Sequence, residues 1–467
     1  MAMVVKNNMS AINTLNTLNK NQSALGKSLA KVSSGQKINS AQDDASGFAI
    51  SERMRVMVRA LDQATQNTQN GSAMMKVAEG AVANTVEILK TLKEKAINAA
   101  TDTNTDDDRK TIQKEIDQFI DQINDNALAT FNGKYLVDGS KGNKVVSNTA
   151  TVMINQSLDI ASDSTISSLF LTELKDTAGN SLNIVAGDTI KVSWVIQGKT
   201  FSTSDITVAA DSNLASIFGS SANDDLATKS ALDGPNAGGF TEHPPVGLSI
   251  VSDGTVSIGK NSSGVDVYTP NGKSALTFTG CTETNNIEGG LSGQISGFTI
   301  TVTDQYGNAK KSANERLEFK TEIFAANKQD ADQSLKIHVG AAAGQTISIG
   351  LLDMRAEALG LQNAKAETIK VSTPEKANAA IAAFDSALQK ALDQATTIGA
   401  IEARLEYTAN NLTTSSENVQ AAESTIRDAD MAKEMTNYTK NNVLLQAAQS
   451  MLAQANQNSS AVLSLLQ

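Results

Sequence analysis

Cysteine occurs once in this 467-residue chain, at Cys281, so no intramolecular disulfide framework can form. A catalytic thiol needs a base, and His243 and His338 are the two histidines available. His243 is followed by Pro244 and Pro245, and neither histidine sits in a His-Glu-x-x-His pattern that would bring two imidazoles to one metal. Cys281 is therefore read as a small buried side chain, and no catalytic or metal site and no cofactor is expected. Proline is absent before Pro235, which leaves the first half of the chain free to form long unbroken helices. Aromatic residues make up 4% of the chain, with Ala, Ser, Asn, Thr and Gln in their place. That composition favours long helices packed through small residues over thick aromatic cores. No apolar run is long enough to cross a membrane, so no membrane partner is expected. The start MAMVVKNNMSAINTL has neither a continuous apolar core nor a small-residue cleavage site, so no cleaved leader is expected.

Charge is missing at both ends. Residues 1–42 carry five lysines and no acid, and no charge follows Lys440. The net charge of −11 lies mainly in the middle: residues 1–140 balance at 16 basic and 16 acidic, 141–330 carry 13 and 20, and 331–467 carry 10 and 14. No basic stripe is present to neutralise phosphates, which excludes nucleic acid as a partner. Termini are usually frayed and charged. Here both repeat apolar residues at helical spacing, as an end does when its partner is another helix or another copy of the chain.

Three zones follow from periodicity. In the first, Leu15, Leu18, Leu25, Leu29 and Val32 alternate spacings of three and four, with Gln22 filling one position. A polar hinge, Ser33-Ser34-Gly35-Gln36, precedes Asn39-Ser40 and Asp43-Asp44, good chemistry for starting a helix. A seam then runs Ile50, Met54, Met57, Leu61, Ala64, Thr68, Gly71, Met75, Ala78, Val82, Thr85, Leu89, Leu92, Ala96 and Ala99, all in heptad spacing. Thr101 to Asp108 break it. Asp102-Thr103-Asn104-Thr105-Asp106 begins like a calcium loop, but Asp107 stands where Gly is required, so it reads as a solvated turn with Asp caps. Ile112, Ile116, Phe119, Ile120 and Ile123 predict another amphipathic helix ending near Leu128, and Asn132-Gly133 between apolar residues predicts a hairpin.

The second zone, 146–330, is rich in Gly, Thr, Ser, Val and Asp and holds four of the five prolines. Ile190-Val192-Trp194-Ile196 and Phe298-Ile300-Val302 alternate with polar residues and read as strands of a turn-rich antiparallel domain. In the third zone Leu335-Ile337-Val339 and Ile347-Ile349 flank Gly340 to Gly344 as a hairpin. Pro374 precedes a helical run expected to continue from about 375 to the end. Its seam includes Leu405, Leu412, Val419, Ala422, Ile426, Leu444, Ala448, Met451, Ala455, Val462 and Leu465. The fold class is α+β. Long N- and C-terminal helices pair as a coiled-coil-like bundle with β-hairpins, and a mainly-β domain is inserted between them, because a long helix with an uncovered seam does not persist alone in water.

Two stretches carry a resemblance. Lys31-Val32-Ser33-Ser34-Gly35-Gln36-Lys37-Ile38-Asn39-Ser40-Ala41-Gln42-Asp43-Asp44-Ala45-Ser46-Gly47 resembles the N-terminal signature of bacterial flagellins. Ala421-Ala422-Glu423-Ser424-Thr425-Ile426-Arg427-Asp428-Ala429-Asp430-Met431-Ala432-Lys433-Glu434 resembles their C-terminal one, and Leu452-Ala453-Gln454-Ala455-Asn456-Gln457 and Gly344-Gln345-Thr346-Ile347-Ser348 also fit. The match covers about 1–140 and 333–467. The middle has no such match, which is the family's usual pattern.

The resemblance implies a filament subunit. Residues 1–42 with 425–467 would form inner-tube terminal helices; 43–145 with 331–424 an outer-tube helical domain with hairpins; and 146–330 an exposed variable domain of one or two subdomains. The self-assembly interface is expected at Leu15, Leu18, Leu25, Leu29, Val32, Leu444, Ala448, Met451, Leu452, Val462, Leu465 and Leu466. Before assembly, both ends are expected to be disordered. The implied partners are other copies of the chain, the flagellar export apparatus and an export chaperone, and hook-associated junction and cap proteins. The place is the extracellular filament, reached without a cleaved signal. A minor hook–filament junction protein is the alternative, and an adhesive middle domain is compatible with either. The family is also recognised by a vertebrate Toll-like receptor. The matching stretch here is Leu89, Thr91, Leu92, Lys93, Glu94 and Lys95, with Glu115 across from it. Strong binders have Arg at the place of Thr91 and Leu at the place of Lys95, so weakened recognition is expected.

Overall fold

The computed structural model describes residues 8–160, 169–196, 198–203, 205–214, 246–251, 257–270, 274–280, 290–291, 294–329, 331–363 and 365–465, without the side chains of 246–251 and 459–465. Cys281 and His243 lie outside these residues. The chain sorts into two compact units. Unit 1 is Met1–Gln69, His338–Thr346 and Glu406–Gln467; unit 2 is Asn70–Ile337 and Ile347–Leu405. The helices are α1 (Met9–Ser34), α2 (Ala45–Ala99), α3 (Asp106–Ala127), α4 (Lys311–Arg316), α5 (Pro374–Arg427) and α6 (Met431–Leu465).

In unit 1, Asn8 caps α1 by accepting from the Ala11 amide at 3.0 Å, and Gly35, at φ 70°, closes it with its N–H on the Lys31 carbonyl at 2.9 Å. Glycine tolerates that left-handed geometry at a helix end. The expected start of α2 is present: the Asp44 carboxylate accepts from the Ser46 and Gly47 amides, which holds its pKa below the usual carboxylate range. Leu61, Ala64 and Leu412 form a small buried cluster with Val419 against it. Arg55 pairs with Glu423 at 3.5 Å, and Ser416 donates to Asp62 at 2.9 Å, so this part of α2 lies antiparallel to the end of α5.

In unit 2 the same antiparallel pairing of α2 and α5 carries ion pairs Lys76–Glu402 at 3.7 Å and Lys93–Asp385 at 2.6 Å. Of the heptad seam read from Ile50 to Ala99, each position from Leu61 on is buried, while Met54 is half-buried and Ile50 and Met57 are 43% and 47% exposed. Ile116, Ile120 and Ile123 of α3 are fully buried too, as are Phe384, Ala387, Ala391 and Ile398 of α5. Thr105 and Asp108 make a reciprocal capping box at the start of α3, and the buried Arg109 donates to the Ala99 and Thr101 carbonyls, closing the turn from α2. Lys390 is buried here. Its ammonium donates to the Ala358 carbonyl at 2.5 Å, and burial pulls its pKa down to about 8 against an upward pull from Asp353.

The Asn132-Gly133 hairpin is formed: β1 (Thr130–Phe131) pairs with β2 (Lys134–Tyr135), with positive φ at both turn residues. Among the described residues the middle zone builds a small two-stranded antiparallel sheet and two four-stranded ones. One has the order β12 (Lys320–Ile323), β3 (Val152–Asn155), β10 (Ala275–Gly280), β7 (Val246–Val251). The other has the order β11 (Ile295–Thr303), β4 (Thr189–Ile196), β5 (Lys199–Ser202), with β6 (Ile206–Thr207) also on β4. The two segments read as strands thus pair with each other, Trp194 opposite Phe298 and Val192 opposite Ile300. Phe278, Phe298 and Phe319 pack together, with centroids 4.0 and 5.1 Å apart along that order. β11 lies directly on α5. A Cβ at Gly297 would fall 2.5 Å from the Ala383 amide nitrogen, so only glycine fits. β8 (Ser257–Lys260) pairs with β9 (Asp266–Tyr268), and β13 (Leu335–His338) pairs with β14 (Thr346–Ile349), the second expected hairpin.

One loop recurs at Asp176, Asn261, Asp304 and Asn363. Each side chain accepts from the backbone amides two and four residues on. The residue three on has positive φ: Gly179, Gly264, Gly307 and, exceptionally, Ala366.

The single helix expected from 375 to the end is corrected. α5 stops at Arg427 and α6 starts at Met431. Asp428 bridges Gln36, the Ala429 amide donates to the Gly35 carbonyl, and the Asp430 carboxylate accepts from the Ala432 and Lys433 amides as a cap. Backbone pairing with the α1–α2 connection outcompetes continued helix.

Candidate self-assembly face

Within unit 1 the two ends of the chain pair. Asn8 donates to the Ala455 carbonyl at 3.1 Å, Asn21 to the Leu444 carbonyl at 3.2 Å, and Asn441 to the Ser28 hydroxyl at 3.0 Å. The partner number falls as the α1 number rises, so α1 and α6 are antiparallel. The two terminal helices thus pair with each other, as expected from the sequence.

The stripe that pairs differs from the one read as apolar. On α1 a stripe of half-buried and buried positions runs Ala11, Thr14, Leu18, Asn21, Leu25, Ser28 and Val32, flanked by half-buried Ala24 and Lys31; on α6 one runs Glu434, Tyr438, Asn441, Leu445, Ala448, Leu452 and Ala455, flanked by half-buried Asn437 and Asn442. Both sets keep heptad spacing. Ser28, Ala448 and Ala455 are the buried members, and their small size allows close approach. Leu18, Leu25, Val32, Ala448 and Leu452 were legible in the sequence. Leu15 and Leu29 are not in this seam but 45% and 51% exposed, and Leu444 and Met451 are 41% and 60% exposed. Val462 and Leu465 have no described side chain, and Leu466 lies outside the described residues. The seam members that sequence reading missed are mostly small or polar. A second heptad register through Ala11, Thr14, Asn21 and Ser28 would have found them.

The seam thus mixes small and polar groups with Leu18, Leu25, Val32, Leu445 and Leu452, and a second apolar stripe lies outside it. Ile12 and Val443 extend the exposed set. Leu, Val and Ile on such a face gain nothing until something covers them, and no charge after Lys440 stands in the way of covering them.

A joint anchors this pair. The buried Arg427 guanidinium donates from Nε to Gln36 Oε1 at 3.0 Å and from Nη1 to Glu52 Oε1 at 2.5 Å, and lies 5.4 Å from the Phe48 ring centroid. The Arg427 hydrogen bond holds the Glu52 pKa below its ordinary value. The Lys37 amide donates to the Arg427 carbonyl at 2.7 Å, and the Lys37 ammonium to the Thr425 carbonyl at 2.7 Å. Arg427 was visible only as part of a motif; its role as a clamp depends on contacts hundreds of residues apart.

The stretch expected to meet a receptor lies in unit 2. Leu89 and Leu92 are fully buried and offer no surface. The Thr91 hydroxyl donates to its own helix at the Glu87 carbonyl. Lys93 pairs with Asp385 and Lys95 with Glu115, each at 2.6 Å, while Glu94 is exposed.

Among the described residues no cluster of three metal-ligating side chains occurs, and no helix is long and apolar enough to cross a membrane. Comparison with known proteins agrees with the paired ends. The bacterial flagellin N-terminal helical region matches residues 5–142, and the C-terminal helical region matches residues 381–466. A flagellin of Clostridium tyrobutyricum is 33% identical over 97% of this chain and 99% of its own. The B-type flagellin of Pseudomonas aeruginosa is 30% identical over the full length of both chains. The flagellin of Bacillus subtilis is 29% identical over 99% of this chain and 100% of its own. The solved flagellar junction protein FlgL from Legionella pneumophila covers 76% of this chain and 99% of its own at 15% identity, with a TM-score of 0.28. That likeness is too loose to draw on. Full-length relatives and two matched terminal regions, which contain the helices that pair here, place this chain in the bacterial flagellin family.

Proposed function

We propose that this chain is a structural subunit that polymerises through its terminal helices into the bacterial flagellar filament. The observation that carries the reading is the α1–α6 pair, which leaves Ile12, Leu15, Leu29, Val443, Leu444 and Met451 turned outward. Each such side chain contributes roughly 1.5–3 kcal/mol when a neighbouring copy buries it. The reading assigns 1–42 with 425–467 to an inner layer, 43–145 with 331–424 to an outer one, and 146–330 to a projecting domain. Its site of action is outside the cell, with the export apparatus, an export chaperone, and junction and cap proteins as partners. It involves no reaction, nucleic acid or membrane.

Electron microscopy of purified chain seeded with filament fragments tests this. Growth is expected from the full chain. It is expected to stop on deletion of 441–467, while circular dichroism still reports the sheets of the middle zone. Filaments from the deleted chain would sink the proposal.

We also propose weak recognition by the Toll-like flagellin receptor. The support is chemical: Thr91 lacks the guanidinium fork of strong binders, and Lys95 is tied to Glu115 at 2.6 Å. A reporter-cell titration is expected to need far more of this chain than of a strong binder. Equal potency would remove the idea.

A further inference from the structure

Among the described residues, the methionines divide sharply between the two units. In unit 2, Met74, Met75, Met153 and Met354 are all buried. In unit 1, Met9, Met57, Met431, Met435 and Met451 are between 43% and 61% exposed, and Met54 is half-buried beside them. Met9 lies on α1, Met57 on α2, and Met431, Met435 and Met451 on α6. Met54 and Met57, with Ile50, Val419 and Ala422, line an apolar groove of about 390 Å³ between α2 and α5 in unit 1. An exposed thioether is a two-electron reductant. A buried one is shielded by its packing, so exposure sets the order of reaction.

We propose that the five exposed methionines of unit 1 form a peroxide-sensitive surface that shuts off assembly of the free chain. Hydrogen peroxide is the oxidant. The thioether sulfur attacks one peroxide oxygen, the O–O bond breaks, sulfur is oxidised by two electrons to the sulfoxide, and the other oxygen leaves as water. The product replaces a pliable apolar group with a strong hydrogen-bond acceptor. On a face that must be buried, each sulfoxide without a donor raises the concentration needed for assembly by about tenfold. The fold of unit 2 is untouched because its sulfurs are inside. Once copies cover these faces the thioethers are protected, so peroxide acts on chains waiting to assemble and spares the finished polymer. Methionine sulfoxide reductases restore the thioether. The inference rests on the proposed filament function, since it needs the unit 1 helices to be the assembling surface.

The test treats full-length chain with graded hydrogen peroxide, maps oxygen uptake by peptide mass spectrometry, and measures seeded polymerisation by sedimentation. Met9, Met57, Met431, Met435 and Met451 are expected to be oxidised first, with Met74, Met75, Met153 and Met354 spared and circular dichroism unchanged. Polymerisation is expected to fall in step with uptake and to return after reductase treatment. A variant with M9L, M57L, M431L, M435L and M451L together is expected to polymerise and to keep doing so after peroxide. Oxidised chain that assembles like untreated chain overturns the proposal. So does a five-site variant that peroxide still blocks, because it retains the other methionines and Cys281. Untreated chain that never polymerises instead overturns the filament reading.

Discussion

Two helical assemblies in this molecule look alike in outline and are built on opposite principles. In unit 2, α2, α3 and α5 enclose fully buried Leu89, Leu92, Ile116, Ile120 and Phe384 and carry ion pairs such as Lys76–Glu402 and Lys93–Asp385 between helices. In unit 1, α1 and α6 meet through Ser28, Asn21, Asn441, Ala448 and Ala455 and leave Leu15, Leu29, Leu444 and Met451 in solvent. The first arrangement is complete within one chain. The second pairs its helices through side-chain amides, small residues and half-buried Leu18, Leu25 and Leu452, and leaves a second apolar stripe uncovered. A helix pair can therefore be specified without being strongly stabilised, and the difference is where the large side chains point.

The comparison breaks most visibly at a leucine. Leu92→Ala is expected to cost about 3 kcal/mol of folding stability, because a fully buried side chain leaves a cavity. Leu29→Ala should stay within about 0.5 kcal/mol in the unassembled chain, yet weaken seeded growth. Denaturant unfolding of both variants checks this; equal losses would remove the contrast.

Lys390 is the second lever. Below about pH 8 its ammonium is charged in folded and unfolded chain alike, and the burial penalty is fully present. Between there and its ordinary 10.5 the folded chain has released the proton and the unfolded chain still holds it, so stability should rise with pH, by up to about 3 kcal/mol. Lys390→Met should raise the melting temperature at neutral pH and flatten that slope. The Ala358 carbonyl keeps its bond from Gln294. An unchanged slope would mean the ammonium is not where burial places it.

Arg427→Met is expected to cost about 2 kcal/mol at the joint of unit 1, since Gln36 and Glu52 lose a charged donor. Hydrogen exchange should speed up around Gln36 and Glu52 and stay slow at Ile120. Acid should mimic it. The Glu52 pKa is held down by Arg427, so that contribution is present at neutral pH and lost as pH falls through the lowered value. The smallest effect concerns a loop. Ala366 is at φ 61° where the three sister loops have glycine, so Ala366→Gly should stabilise by about 1 kcal/mol. A loss of stability would show that the left-handed geometry is not strained there.

Legibility in the sequence followed the same divide. The seam from Leu61 to Ala99 could be read because helical spacing and apolar character coincide, as they must where one chain buries its own side chains. The α1–α6 contact was half readable. Its partners were right, but Leu15 and Leu29 drew attention to the outward stripe and Ser28 and Asn21 hid the inward one. The stop at Arg427 carries no glycine or proline; it is decided by Gly35 and Gln36, far away in sequence. The pairing of β4 with β11 was equally closed to local reading, although both strands were recognised. Lys390, a charge inside an Ala-rich helix, gives no local sign that it is buried.

The joint at Arg427 also governs when the terminal pair can form. Asn441 meets Ser28 across 413 residues of sequence, a closure that is slow and entropically unfavourable in an unfolded chain. Once Glu52 is fixed to Arg427, the segment left to close is about a tenth as long, which lowers the closure penalty by about 2 kcal/mol. The terminal helices therefore zip late in folding, after the contacts that bring them together. Contact order thus sets an expected sequence of events, with the terminal pair closing after Arg427 has joined Glu52.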